Sequence, residues 1–166
     1  MKKILVIGSG GAGKSTFSAR LGRLLNIEVI HLDAFHWKPG WVKTPKPEWR
    51  EKVAELVKRE TWIIDGNYTG TFEIRFAACD AVIFLDVARS VCLWRVLKRL
   101  LIYRSRGRPD MAAGCREQFD LKFMAWVWGY PIRTRPKVLQ LLQDDSQSKQ
   151  IVHLRNQSEI DGFLCQ

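Results

Sequence analysis

The stretch Gly8-Ser9-Gly10-Gly11-Ala12-Gly13-Lys14-Ser15-Thr16 constrains the fold of this chain more than any other. An apolar run, Ile4-Leu5-Val6-Ile7, precedes it and reads as a strand, while Phe17, Leu21, Leu24 and Leu25 follow at helical spacing. Strand, glycine-rich loop and helix, with G-x-x-x-x-G-K-[ST] in the loop, form a phosphate cradle. Glycine lets the backbone adopt unusual dihedrals and approach a ligand closely. Successive N–H groups then converge at the positive end of a helix, where anions are stabilised. In such a loop Lys14 reaches the β- and γ-phosphates of a nucleotide and the Ser15 hydroxyl ligates Mg²⁺. All nine residues from Gly8 to Thr16 are therefore candidate nucleotide-binding positions. The plainer alternative is a flexible turn between strand and helix.

The chain keeps alternating beyond this loop. Strands are expected at 28–31, 61–64, 81–85 and 150–154, with helices at 45–60, 72–78, 90–103, 116–128, 136–143 and 160–164. The stretch 33–41 is aromatic, broken by Pro39-Gly40, and unlike a regular element; Pro131 is expected to interrupt a helix. Alternation of this kind predicts a parallel sheet with right-handed crossovers, here a three-layer α/β/α core of five strands. The unbroken apolar run at 81–85 suits a central strand covered on both faces. With 166 residues, one domain spanning 1–166 is expected. No uninterrupted apolar run approaches membrane-spanning length, and the N-terminus lacks a secretory pattern. The scattered Cys79, Cys92, Cys115 and Cys165 read as thiols of a cytoplasmic protein.

Ligands of open α/β sheets bind outside the carboxyl ends of the strands, and three such ends carry polar residues here. Asp33 follows the second strand, where a base or orienting group for an acceptor hydroxyl belongs, or an anchor for a metal's water shell. A turn cap is the bland reading. Asp65-Gly66-Asn67 follows the third: Gly66 permits close approach and Asn67 offers donor and acceptor, although a tight turn fits equally well. Asp86 follows the fourth and is expected to face Mg²⁺ through Ser15 or a water, or else to form a turn. Trp37 and Trp41 flank Pro39-Gly40, where their rings could stack on a planar or apolar acceptor; the acceptor region is expected at about 33–60. Trp49, Trp62 and Trp94 have core spacing, and His31, His36 and His153 are too dispersed to suggest a metal site.

The 27 basic residues exceed the 17 acidic ones, giving a net charge of +10 and a pI near 9.8. Polyanionic partners are favoured, but a nucleotide already is one. The excess concentrates between Arg89 and Arg108, where Arg95 and Arg99 share a helical face. This stripe reads as lid and nucleotide contacts, as a solvated face, or as a nucleic-acid surface with Trp126 and Trp128 nearby.

Four pieces together resemble the adenylate-kinase-like branch of P-loop kinases: Gly8–Thr16, the strand-end Asp33, Ile63-Ile64-Asp65-Gly66, and Phe84-Leu85-Asp86-Val87 followed by Arg95 and Arg99. The resemblance implies sheet order 2-3-1-4-5, a helical and loop lid over about 104–128, and transfer of the γ-phosphate of Mg-ATP to a small acceptor. It implies that Arg95 and Arg99 border the nucleotide, that Lys14 and Asp33 are catalytic, and that Arg106 and Arg108, with Arg116, close over the transfer. Adenylate kinases carry Gly-Phe-Pro-Arg where this chain has Gly66-Asn67-Tyr68-Thr69, so the arginine for an acceptor phosphate is not at its usual place. More closely, Leu32-Asp33, Trp37, Trp41, 62–68 and the loop from Arg106 to Arg116 resemble bacterial topology modulation proteins, a label implying a link to DNA supercoiling. No groove-reading module is present in the sequence. A nucleotide-dependent, nucleic-acid-associated protein is therefore the rival class, and a nucleotide binder with a degraded acceptor site a third.

Overall fold

The computed structural model describes residues 1–103, 110–112, 114–115, 118–144 and 149–165. The expected lid arginines Arg106, Arg108 and Arg116 lie outside the described residues.

The glycine loop joins β1 (Lys3–Gly8) to α1 (Lys14–Leu25). Next come β2 (Val29–His31), α2 (Leu32–His36), the two-stranded hairpin β3 (Trp37–Lys38) and β4 (Val42–Lys43), and α3 (Lys46–Leu56). Then β5 (Trp62–Asp65) leads through a 3₁₀ turn at Thr69–Thr71 into α4 (Phe72–Ala78) and β6 (Ala81–Leu85). The remainder is α5 (Arg89–Tyr103), α6 (Leu121–Arg133), α7 (Arg135–Asp144), β7 (Gln150–Leu154) and α8 (Gln157–Leu164).

The main sheet runs β2-β5-β1-β6-β7 with every pairing parallel. Counting its five strands along the chain, that is the second, third, first, fourth and fifth. Parallel strands need crossover helices on both faces, and the apolar residues divide accordingly. Leu5, Ile7, Ile64, Val82 and Phe84 pack on one face with Trp49 and Val53 of α3. Ile4, Val6, Ile63, Ile83 and Leu85 pack on the other with Phe17 and Leu21 of α1, Cys92 of α5 and Ile160 of α8. These strand side chains are at most 1% exposed, so each stabilises the fold by about 1.5–3 kcal/mol relative to exposure.

Several local expectations are corrected. The stretch 33–41 is regular after all: α2 ends at His36, and the hairpin turns at Pro39–Gly40, held by the Thr44 hydroxyl and N–H donating to the His36 carbonyl at 2.7 and 2.9 Å. Pro131 does not interrupt a helix but sits inside α6. That helix begins at Leu121 because the Asp120 carboxylate accepts from the N–H groups of Lys122 and Phe123 at 2.8 and 3.2 Å, which satisfies first-turn donors. Trp94, expected in the core, is 64% exposed, because α5 buries Cys92 and Val96 on its opposite side. Among the described residues no helix is long and apolar enough to cross a membrane.

Candidate functional site

The carboxyl ends of β1, β2 and β5 meet at the glycine loop. Helix α1 starts at Gly13, which has positive φ and no side-chain cap, and no acidic residue lies in the first turn. The first N–H groups of the helix thus lack intrahelical acceptors and form an anion site at the positive end of the dipole. The loop is wedged against α5: a Cβ on Gly11 (φ +79°) would lie 2.2 Å from the Cys92 carbonyl oxygen, so only glycine fits.

Lys14 folds back over the loop, its ammonium donating to the carbonyls of Gly8 at 3.0 Å and Ser9 at 2.9 Å. Burial pulls its pKa below the ordinary lysine value, and the nearby carboxylates of Asp65 and Asp33 counter this only in part. Ser15 and Thr16 follow in the first turn. Arg95 lies against the loop, donating to the Ala12 carbonyl at 3.1 Å and to Gln157 Oε1 at 2.7 Å. With Gly13, Thr16, Ile160 and Leu164 it lines a cavity of about 250 Å³. Arg99, one turn on, lies 5.9 Å from the Phe123 ring and close enough to Lys14 to lower its pKa.

Asp33, in the first turn of α2, accepts from the Tyr68 hydroxyl at 2.5 Å. Burial first, and then the Asp33 charge, push the Tyr68 phenol far above its ordinary pKa, so it remains a donor. An aromatic cluster surrounds this pair. The His36, Trp49 and Tyr68 rings have centroids 4.5–5.1 Å apart, and Trp37 touches both His36 and Trp41 edge-on.

The turn after β5 carries residues that sequence reasoning undervalued. Asp65, only 3% exposed, bonds His31 Nδ1 at 2.7 Å. Burial alone would lower the His31 pKa, but the hydrogen bond and charge of Asp65 outweigh it and raise the pKa. The signal for Asp65 was its place directly after the apolar run 62–64, one strand from the glycine loop. Gly66 and Asn67, expected at the acceptor, are held against the scaffold. A Cβ on Gly66 would press on Leu32, and both polar atoms of the Asn67 amide are engaged by the Gly8 backbone. Arg75 is fully buried and donates to the carbonyls of Gly66, Tyr68 and Thr71 at 2.8, 2.6 and 3.3 Å. No periodic signal distinguished it from a solvated arginine.

Asp86, expected at the metal, is engaged by two other side chains. Both carboxylate oxygens accept from Arg135 Nε at 2.9 Å, and Oδ2 also pairs with His153 Nε2 at 2.8 Å. The triad ties α7 to the ends of β6 and β7. Burial raises the Asp86 pKa, but the bonds from Arg135 and His153 prevail and hold it below the ordinary 3.8. A depressed carboxylate stabilises the fold above its unfolded pKa and loses that contribution as pH falls through the folded one. The stability difference between wild type and Asp86→Asn should therefore be constant above about pH 5 and shrink below pH 3.8, as urea unfolding at stepped pH would measure. A constant difference down to pH 2 would disprove the assignment.

Of the basic stripe, read as lid and nucleotide contacts, a solvated face or a nucleic-acid surface, Arg95 and Arg99 make the contacts described above, while Arg89 lies over the half-exposed Trp128 ring at 4.0 Å. Among the described residues no group of three His, Cys, Asp or Glu could hold a metal.

Solved structures similar to this chain include several kinases. A shikimate kinase from Bacteroides thetaiotaomicron superposes with TM-score 0.51 over 98% of this chain and 93% of its own, at 19% identity. A sugar kinase from a Janibacter species gives 0.51 over 99% and 93%, at 17% identity. The chain has a P-loop kinase fold. At such identities the likeness speaks for fold alone. No protein-family profile matches the sequence, and no curated protein matches it.

Proposed function

We propose that this chain is a kinase that moves the γ-phosphate of Mg-ATP to a hydroxyl of a small acceptor. The observation carrying the reading is the uncapped start of α1 at Gly13, with the Lys14 ammonium folded over the same loop onto the Gly8 and Ser9 carbonyls and Asp33 in the first turn of α2 after β2. Lys14 and the uncapped N–H groups of α1 supply fixed positive charge for the phosphates, and Asp33 orients the acceptor hydroxyl and draws off its proton. The cavity beside Gly13 and Arg95 suits the nucleobase, and Arg99 the phosphate side. Arg106 and Arg108 are assigned to closure over the transferred group.

Magnesium, when bound, neutralises charge on the β- and γ-phosphates. Ser15 and Asp65 suit it better than Ser15 and Asp86. Asp65 is a buried carboxylate whose charge reaches Lys14, whereas both oxygens of Asp86 already carry Arg135 and one carries His153. The contacts of Arg95 with the glycine loop and of Arg99 with Phe123 favour this reading over a nucleic-acid stripe.

ADP release from Mg-ATP, run against a panel of nucleosides, nucleotides and small alcohols with and without DNA, tests the proposal. One small acceptor should stimulate release, and Asp33→Asn should lower kcat about 10²–10⁴-fold with ATP affinity preserved. Full turnover in that variant would remove Asp33 from the reaction, and stimulation by DNA alone would favour the rival class.

A further inference from the structure

Resting on the kinase reading, we propose that the acceptor is an uncharged alcohol carried on a flat ring, and that Tyr68 sets this preference by holding Asp33. One hydrogen bond leads into the site: the Tyr68 hydroxyl donates to Asp33 Oδ1 at 2.5 Å, and the Trp37 ring stands against His36, which in turn touches Tyr68. The direction of that bond is fixed, because a carboxylate only accepts. Oδ1 is thereby occupied, and among the described residues no other hydrogen bond to Asp33 competes for Oδ2. What Oδ2 can take from an acceptor is a proton donor, and a hydroxyl is one.

An acceptor's own phosphate or carboxylate would meet the negative charges of Asp33 and Asp65, which like-charge repulsion disfavours. Among the described residues the cations whose charge reaches Asp33 already have partners: Lys14 bonds the Gly8 and Ser9 carbonyls and His31 bonds Asp65. Arg75, the arginine nearest in sequence to the β5 turn, is sealed and gives its N–H groups to backbone carbonyls. Lys38 pairs with Glu48 at 3.4 Å, and exposed Lys43 lies over the Trp37 ring at 5.7 Å.

The flat-ring requirement comes from the hairpin. Trp37 and Trp41 are both partly exposed and meet edge-on at 5.2 Å, forming an apolar wall beside Asp33. Trp41 has φ +63°, which is strained for a bulky side chain, and strain of this kind gathers at ligand clamps. A ring laid against this wall brings its hydroxyl toward Asp33.

The test separates ligand class from transfer. Wild-type protein holding a non-hydrolysable Mg-ATP analogue is titrated by calorimetry and tryptophan fluorescence with nucleosides and cyclic alcohols, their monophosphates, and ring hydroxy acids. The same compounds are then assayed with ATP for ADP release. A ring alcohol should bind at least about tenfold more tightly than its phosphorylated or carboxylated counterpart. Tyr68→Phe should lower kcat for that alcohol about tenfold or more, with the KM for ATP within about twofold. Should Tyr68→Phe fold poorly, Trp37→Phe, which trims the ring wall beside the Tyr68–Asp33 pair, should shift kcat the same way by less. Anionic compounds binding as tightly as the alcohols, or no binding across the panel, would overturn the proposal. So would an acceptor affinity lost on Lys43→Met, which would make that lysine an anion anchor. Loss of ATP affinity in Tyr68→Phe equal to its loss of kcat would also overturn it. Binding of a ring alcohol without phosphate transfer would uphold the ligand class and sink the kinase reading.

Discussion

Replacing Lys14 by alanine is expected to lower ATP-dependent phosphoryl transfer by about 10²–10³-fold while the melting temperature moves by a few degrees at most. The two effects separate because of where the ammonium sits. Its bonds to the Gly8 and Ser9 carbonyls are charge-assisted, but those carbonyls keep the Asn67 amide and the Ala12 N–H as donors, and removing the side chain also removes the desolvation cost that lowers its pKa. Stability therefore changes little. The lost charge, by contrast, is the one positioned where negative charge spreads during transfer, in a site whose other nearby side chains include the carboxylates Asp33 and Asp65. Lys14→Arg should not restore the rate, since a planar guanidinium cannot replace a point charge on a short reach to two carbonyls. Calorimetric melting and single-turnover kinetics on the same preparations check both halves. A Lys14→Ala variant with undiminished transfer would remove the loop from the chemistry.

The core and the glycine loop were legible because each rests on local pattern. The all-apolar run 81–85 became a strand with the expected limits, since such a run between turns has few other burials open to it, and 150–154 did so with Gln150 and His153 among its residues. Phe72–Ala78 formed the expected helix. The site was legible only where function demands a backbone conformation, as at Gly11. Side-chain roles at the strand ends depended on partners far away in sequence. Asp86 and Asp65 look alike as strand-terminal carboxylates, and only the arrival of Arg135 and His153 at one, and of His31 at the other, separates them. Asn67 and Tyr68 could not be assigned until Gly8 and Asp33 were seen beside them. Trp94 was misjudged because spacing marks a helical face but not the layer that covers it.

Arg75→Met should cost about 3 kcal/mol of stability, seen as a fall of about 10 °C in melting temperature. The guanidinium is fully buried with no carboxylate bonded to it, so burial drives its pKa down to about 10. Such a charge is tolerated because its N–H groups donate to the carbonyls of Gly66, Tyr68 and Thr71, tying together the turn after β5. The Tyr68 carbonyl keeps the Thr71 N–H and hydroxyl as donors in the variant. Methionine fills the volume and relieves the buried charge, but it removes three charge-assisted bonds at about 1.5–3 kcal/mol each and leaves the Gly66 carbonyl without its arginine donor, so loss outweighs gain. Lysine should rescue only part, since one ammonium cannot span carbonyls spread over residues 66–71 as the planar fork does. The site should feel the change as well. The Tyr68 carbonyl is one of Arg75's acceptors and the Tyr68 hydroxyl is what holds Asp33, so at temperatures where Arg75→Met remains folded its kcat should fall along with that of Tyr68→Phe. In the double variant the two losses should combine less than additively, because both act through one loop. An unchanged melting temperature would mean that water satisfies those carbonyls and that the turn after β5 does not depend on its buried arginine.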